Sequence, residues 1–96
     1  MLKIQDLTGD EDAPKIEYPC RYPIKVMGLD ENDFSNAIVA IIRQHAPDLA
    51  DADISFRPSR HGKYLAVNVI ITAQSEQQIE NIFNALKASG RTAMII

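Results

Sequence analysis

Ser59-Arg60-His61-Gly62-Lys63-Tyr64 is the short stretch in which residues capable of chemistry crowd together. Three side chains that can carry positive charge surround a glycine, with a hydroxyl at each end. Backbone N–H groups in such a turn can cradle an anion. The spacing is not that of a phosphate-binding P-loop, which needs G-x-x-x-x-G-K-[ST]. The simpler reading is a hairpin that needs Gly62 for a positive φ and uses charged residues for solubility.

The remaining reactive residues are scattered. His45 falls near the end of a predicted helix, where a protonated imidazole suits the negative end of the dipole. His61 lies in the hairpin, and no acidic partner is placed near either histidine. Ser59 beside His61 does not make a catalytic triad. Cys20 is the only cysteine. A reactive thiol needs a nearby cation, and Arg21 follows it, but burial as a small apolar residue is the favoured role for Cys20. Two histidines and one cysteine far apart make no metal motif. No catalytic residue, metal site or cofactor is therefore expected.

The chain has 96 residues, enough for one domain, and a net charge of −3. An acidic chain is poorly suited to neutralising phosphates, so nucleic acid is not the expected partner. With a single cysteine no internal disulfide forms, which fits a reducing cytoplasm. No apolar run approaches the roughly 20 residues that span a bilayer, and the first residues lack the apolar core of a signal peptide. A cytoplasmic location without membrane attachment is expected.

The elements that must position the hairpin follow from periodicity. Residues 1–16 read as a flexible leader, acidic and turn-prone from Thr8 to Pro14, and residues 17–96 as one domain. Tyr22, Ile24 and Val26 alternate with Pro23, Lys25 and Met27, predicting a strand over Arg21–Gly28. Gly28 then lets the chain turn into a helix near 30–46, with Asp30 as its N-cap and Phe34, Ala37, Ile38, Ile41 and Ile42 on one stripe. Pro47 ends it.

Asp53–Ser59 predicts a second strand with Ile54 and Phe56 inward, and Pro58 marks an edge or a strand end. Lys63–Ala73 is the most β-prone run and suits a central strand, with Leu65, Val67, Val69 and Ile71 on one face. Ser75 and Gln78 match a capping box for a helix near 75–89, with Ile79, Ile82, Phe83 and Leu86 inward. Gly90 suits the position after that helix, and Arg91–Ile96 closes as a strand.

The order is strand–helix–strand–strand–helix–strand, two interlocked βαβ units. Right-handed crossovers then predict an α+β, ferredoxin-like fold. Its antiparallel sheet has four strands in order 4-1-3-2, with both helices on one face. The other face would present Lys25, Met27, Ser55, Arg57, Tyr64, Ala66, Asn68 and Ile70. Met27 and Ile70 are expected to be neighbours across strands. An uncovered apolar cluster there would mark an interface, although antiparallel sheets also face water without a partner.

With these elements placed, two segments carry a resemblance. Pro19-Cys20-Arg21-Tyr22-Pro23-Ile24-Lys25-Val26-Met27-Gly28 resembles the opening signature of the YbeD-like family of small bacterial proteins. Arg57-Pro58-Ser59-Arg60-His61-Gly62-Lys63-Tyr64-Leu65-Ala66-Val67 resembles its hairpin signature, and Gln44-His45-Ala46-Pro47 also fits. The likeness runs from about Glu17 to Ile96, leaving residues 1–16 outside it. The resemblance implies a fold similar to the ACT regulatory domain, and no reaction. ACT-like domains commonly pair through strands or sheets and hold small ligands at those interfaces.

Three functions compete. The first is a non-enzymatic regulatory or adaptor module, possible as a homo-oligomer. It would bind a protein partner or a small anionic ligand through Lys25, Met27, Arg57, Ser59, Arg60, His61, Gly62, Lys63, Tyr64 and Ile70. The second is an RNA-binding module of RNA-recognition-motif topology, which needs aromatics stacked on its central strands. Tyr64 alone meets that need. The third is a small enzyme of acylphosphatase type, which needs an anion cradle after the first strand. Gly28-Leu29-Asp30-Glu31 puts acid there instead.

Overall fold

Strict alternation in the two longest extended runs builds the centre of the sheet. In this computed structural model, which describes residues 17–96, Cys20–Leu29 forms β1 and Tyr64–Ala73 forms β3. They pair antiparallel along their full length, from Cys20 opposite Ala73 to Leu29 opposite Tyr64. β2 (Ile54–Pro58) flanks β3 and β4 (Met94–Ile95) flanks β1, giving the order β2-β3-β1-β4. This is the expected 4-1-3-2 order read from the other edge. The leader expected over residues 1–16 lies outside the described residues.

Two amphipathic helices cover one face. α1 (Phe34–His45) buries Phe34, Ile38 and Ile42, and α2 (Glu76–Ala88) buries Ile79, Ile82 and Leu86. Spacings of three and four put each set on one stripe. These side chains join Ile24, Val26, Leu65, Val67, Val69 and Ile71 in a single core, so both helices share a face. Ile41, Ile54 and Phe83, expected inside, are only half-buried against that core. Phe56 departs further and is 51% exposed. It lies opposite Val67, on the helix side. However, β2 is an edge strand, and the helices pack mainly over β1 and β3.

The start of α1 also differs from expectation. Asp30 is not its cap: its N–H donates to the Lys63 carbonyl over 2.9 Å, which ties the end of β1 to the hairpin. The helix begins three residues later, because Asn32 and Asp33 take left-handed φ of 54° and 60°. Arg91 secures that turn, with Nη2 donating to the carbonyls of Glu31 (2.7 Å) and Asn32 (2.6 Å). Gly28 does not turn the chain and remains within β1. A Cβ there would lie 2.5 Å from both the Arg91 carbonyl oxygen and the Phe34 ring. Its role is close approach. At α2, Ser75 Oγ accepts from the Gln78 N–H as expected. Gln78 Oε1 reaches back one residue further than a capping box requires, accepting from the Gln74 N–H.

The two open edges differ in the donors they offer. Lys25 exchanges two backbone bonds with Ile96, so odd-numbered residues of β1 aim their peptide groups at the β4 side. Further along β1 the next such residue is Pro23, which has no N–H to offer, whereas Arg21 on β1 and Ile95 on β4 aim their N–H groups outward. On the other edge, Ser59 N–H donates to the Tyr64 carbonyl, so even-numbered residues of β2 face outward. Ile54 N–H is taken by the Asp51 carbonyl, and Pro58 has none. Phe56 alone retains an outward donor on β2. The blunted β2 edge resists strand addition.

Candidate binding face

The face opposite the helices is uncovered among the described residues. Alternation places Pro23, Lys25, Met27 and Leu29 of β1 on it, beside Tyr64, Ala66, Asn68 and Ile70 of β3. Ser55 and Arg57 of β2 join from one side, and Met94 from the other. Ile96, bonded to Lys25, continues the same side. Leu29, Ile70, Met94 and Ile96 are large apolar residues exposed there. Leu29, Met94 and Ile96 are not among the residues that sequence reasoning singles out. The opposite parity of Ile95, which packs on the core, is the available signal for the last two.

The structure divides the predicted site in three. Lys25, Met27, Arg57, Ser59 and Tyr64 line one hollow of about 180 Å³, with Ala66 and Pro58. Ile70 belongs to a second, larger depression of about 510 Å³, with Pro23 and Ile96. Met27 and Ile70 are not neighbours. Met27 stands opposite Ala66 and Ile70 opposite Pro23, four residues further along the sheet. That is about 13 Å at ~3.3 Å per residue. Lys25 lies between and lines both depressions.

The hairpin tip holds the other predicted residues. Gly62 has φ 75°, and its N–H donates to the Ser59 carbonyl over 3.0 Å. Ser59 Oγ accepts from the Tyr64 N–H, so the hydroxyl oxygen staples the turn. Arg60, His61 and Lys63 are exposed, and Lys63 Nζ lies 5.7 Å from the Tyr64 ring centroid. The hairpin therefore adds positive charge beside the ring without assembling a catalytic group.

Among the described residues, the unpaired side-chain charge on the face is positive. Arg21 is neutralised by Asp53, at 2.7 Å, and also reaches Thr72. Arg43 pairs with Asp51 away from the face. Among the described residues, Lys25 and Arg57 have no carboxylate within ion-pair distance, and no acidic side chain lies on the strands of this face. At the far end of β1 the Tyr18 phenol is pushed above its ordinary range, first by loss of hydration and then by Cys20, Glu76 and Tyr22. It stays protonated at neutral pH and offers no base.

Other chemistries find little support in this geometry. Tyr64 is the only aromatic aimed outward from the central strands among the described residues, so a base-stacking platform is not formed. After β1, the N–H groups of Asp30 and Glu31 are bonded to the carbonyls of Lys63 and Leu29, and cradle nothing. No cluster of three metal-ligating side chains occurs among the described residues. No helix there is long and apolar enough to cross a membrane.

Strand order and helix placement define an α+β module with an ACT-like, ferredoxin-like fold. The protein belongs to a bacterial family described as Protein of unknown function (DUF493), which matches residues 13–96. Its curated relatives carry the name UPF0250 protein. That of Pseudomonas paraeruginosa is 48% identical over 90 residues, covering 93% of this chain and 97% of its own. That of Ectopseudomonas mendocina is 46% identical over 89 residues, covering 92% and 97%. This is the YbeD-like family whose signatures the sequence carries. The likeness reaches further toward the N-terminus than those signatures implied, into the first sixteen residues.

Two solved structures are similar in fold. The solution structure of protein HP0495 from H. pylori has a TM-score of 0.65 at 16% identity, covering 91% of each chain. The ACT domain from GTP pyrophosphokinase of Chlorobium tepidum has a TM-score of 0.63 at 15% identity, covering 80% of this chain and 97% of that one. At these identities the likeness speaks for the fold alone. Neither the family description nor the relatives' names give a reaction.

Proposed function

We propose that this protein works by binding, as a non-enzymatic regulatory or adaptor module. Its open sheet face and the Ser59–Tyr64 hairpin receive a protein partner or a small anionic ligand. One observation carries the reading. Among the described residues, Lys25 and Arg57 have no carboxylate within ion-pair distance, on a face that also exposes Leu29, Ile70, Met94 and Ile96. Exposed apolar residues beside like-signed charge are the composition of a contact surface, with an apolar anchor and charges that orient the partner.

The blunted β2 edge favours the face over strand addition on that side. An ACT-like fold is compatible with a regulatory role, and a domain of that name within GTP pyrophosphokinase is a structural neighbour. The test is Ile70→Asp. Ile70 points away from the core, so the variant should fold normally and lose partner capture or self-association. Unaltered capture and unaltered oligomeric state would remove this face from the proposal.

A further inference from the structure

We infer that the hollow over Ala66 is a binding site for a small organic carboxylate with a flat apolar body. This rests on the outer face being a binding surface and narrows it to one ligand class. The starting observation is Ala66 itself. Central strands favour large β-branched and aromatic residues, and alanine is depleted there. Ala66 is nevertheless only 5% exposed on the uncovered face. Its neighbours shelter it: Met27 and Arg57 stand directly opposite on the two flanking strands, and Tyr64 precedes it by two residues on the same face. A small floor among long walls leaves the 180 Å³ hollow. One water occupies ~30 Å³, so the space suits a group of several heavy atoms.

The walls define the chemistry of that group. Lys25 and Arg57 bring two positive charges, and neither has a carboxylate partner among the described residues. Arg21, the other cation on the face, is spent on Asp53. The available charge is thus concentrated at this hollow. A guanidinium fork takes a carboxylate in two parallel hydrogen bonds. Ser59 Oγ accepts from the backbone, so its own proton remains free to donate. Met27 and the Tyr64 ring supply apolar contact, the thioether adapting to shape and the ring offering a face for stacking. Lys63 over that ring strengthens the positive potential.

Each simpler ligand leaves part of the hollow unused. Inorganic phosphate would engage the cations and leave the apolar walls wet. A neutral aromatic would fill the walls and leave two cations partly desolvated without a counter-charge. Among the described residues, the larger depression around Ile70 has Lys25 as its single cation, so it lacks the pair.

Benzoate, benzyl alcohol and inorganic phosphate, titrated separately into the full chain and followed by amide NMR, test the inference. Benzoate should give saturable shifts at Lys25, Met27, Arg57, Tyr64 and Ala66 at millimolar concentrations. Benzyl alcohol and phosphate should each bind at least about tenfold more weakly. Ala66→Leu fills the hollow and should lose benzoate binding while the rest of the spectrum stays that of the folded chain. Should that variant unfold, Arg57→Met and Lys25→Met, both at exposed positions, must each weaken benzoate about tenfold. Phosphate or benzyl alcohol binding as tightly as benzoate overturns the inference, as do absent shifts or full binding in these variants. Ile70 lies outside this hollow. Loss of partner capture in Ile70→Asp is thus independent of the benzoate result, and failure here leaves the face-binding proposal standing.

Discussion

Gln78 Nε2 donates to the backbone carbonyl of His45 over 2.7 Å, joining the start of α2 to the end of α1. The same side chain accepts from the Gln74 N–H through Oε1, at 2.6 Å. One amide thus serves two backbone groups at the junction of both helices. A half-buried hydrogen bond is worth about 0.5–1.5 kcal/mol net, and its loss leaves a carbonyl poorly served. Gln78→Met keeps the volume and should cost about 1–2 kcal/mol in urea unfolding. An unchanged midpoint would mean that water replaces both bonds.

Gly28→Ala should destabilise by about 1–3 kcal/mol, the range for overpacking. The added methyl would meet both the Arg91 carbonyl and the Phe34 ring at 2.5 Å. Phe34 is 1% exposed, so its ring has little room to move. Wild-type stability in the variant would show that the ring and the 91–93 segment shift freely.

Gly62→Val should cost about 1–2 kcal/mol, through backbone strain alone. φ is 75° at this position, and among the described residues a Cβ added there would meet nothing within 4 Å, so no steric contribution is expected. Gly62→Asn, which tolerates left-handed angles, should cost clearly less. Equal losses in the two variants would point away from φ as the cause.

Val67 is fully buried at the centre of β3, opposite Val26 and Phe56. Val67→Ala should cost about 1–3 kcal/mol through lost burial and the cavity left behind. A change below ~0.5 kcal/mol in denaturant would put this residue outside the cooperative core.

Periodicity made the sheet order, the facing of β1 and β3 and both helices legible, because each pattern extends over ten or more residues. Gly62 and Gly90 were equally readable, since each sits where a turn demands positive φ. What escaped depends on neighbours that periodicity does not contain. Phe56 has the parity of a core residue, but whether a helix overhangs the edge strand is a matter of tertiary placement. Asp30 lost the cap to a left-handed turn held by Arg91, some sixty residues away in sequence. On the face, Lys25, Met27, Arg57, Ser59 and Tyr64 came together as their parity suggested. Ile70 fell outside that group because register, and not parity alone, decides which residues meet. Ala66 was visible as an outward residue, yet its role as a floor depends on the size of three side chains around it.

The central claim, binding through the uncovered face, is tested most directly by capture from native bacterial lysate on immobilised protein, comparing Ile70→Asp with Phe56→Asp. Both residues are exposed and apolar, one on the proposed face and one on the helix side of the β2 edge. The account predicts that Ile70→Asp loses the captured partner, or self-association, while Phe56→Asp retains it. Arg60→Glu combined with Lys63→Glu should weaken capture and flatten its salt dependence. Capture that survives both Ile70→Asp and the charge reversal, or that is lost in Phe56→Asp instead, would contradict the claim.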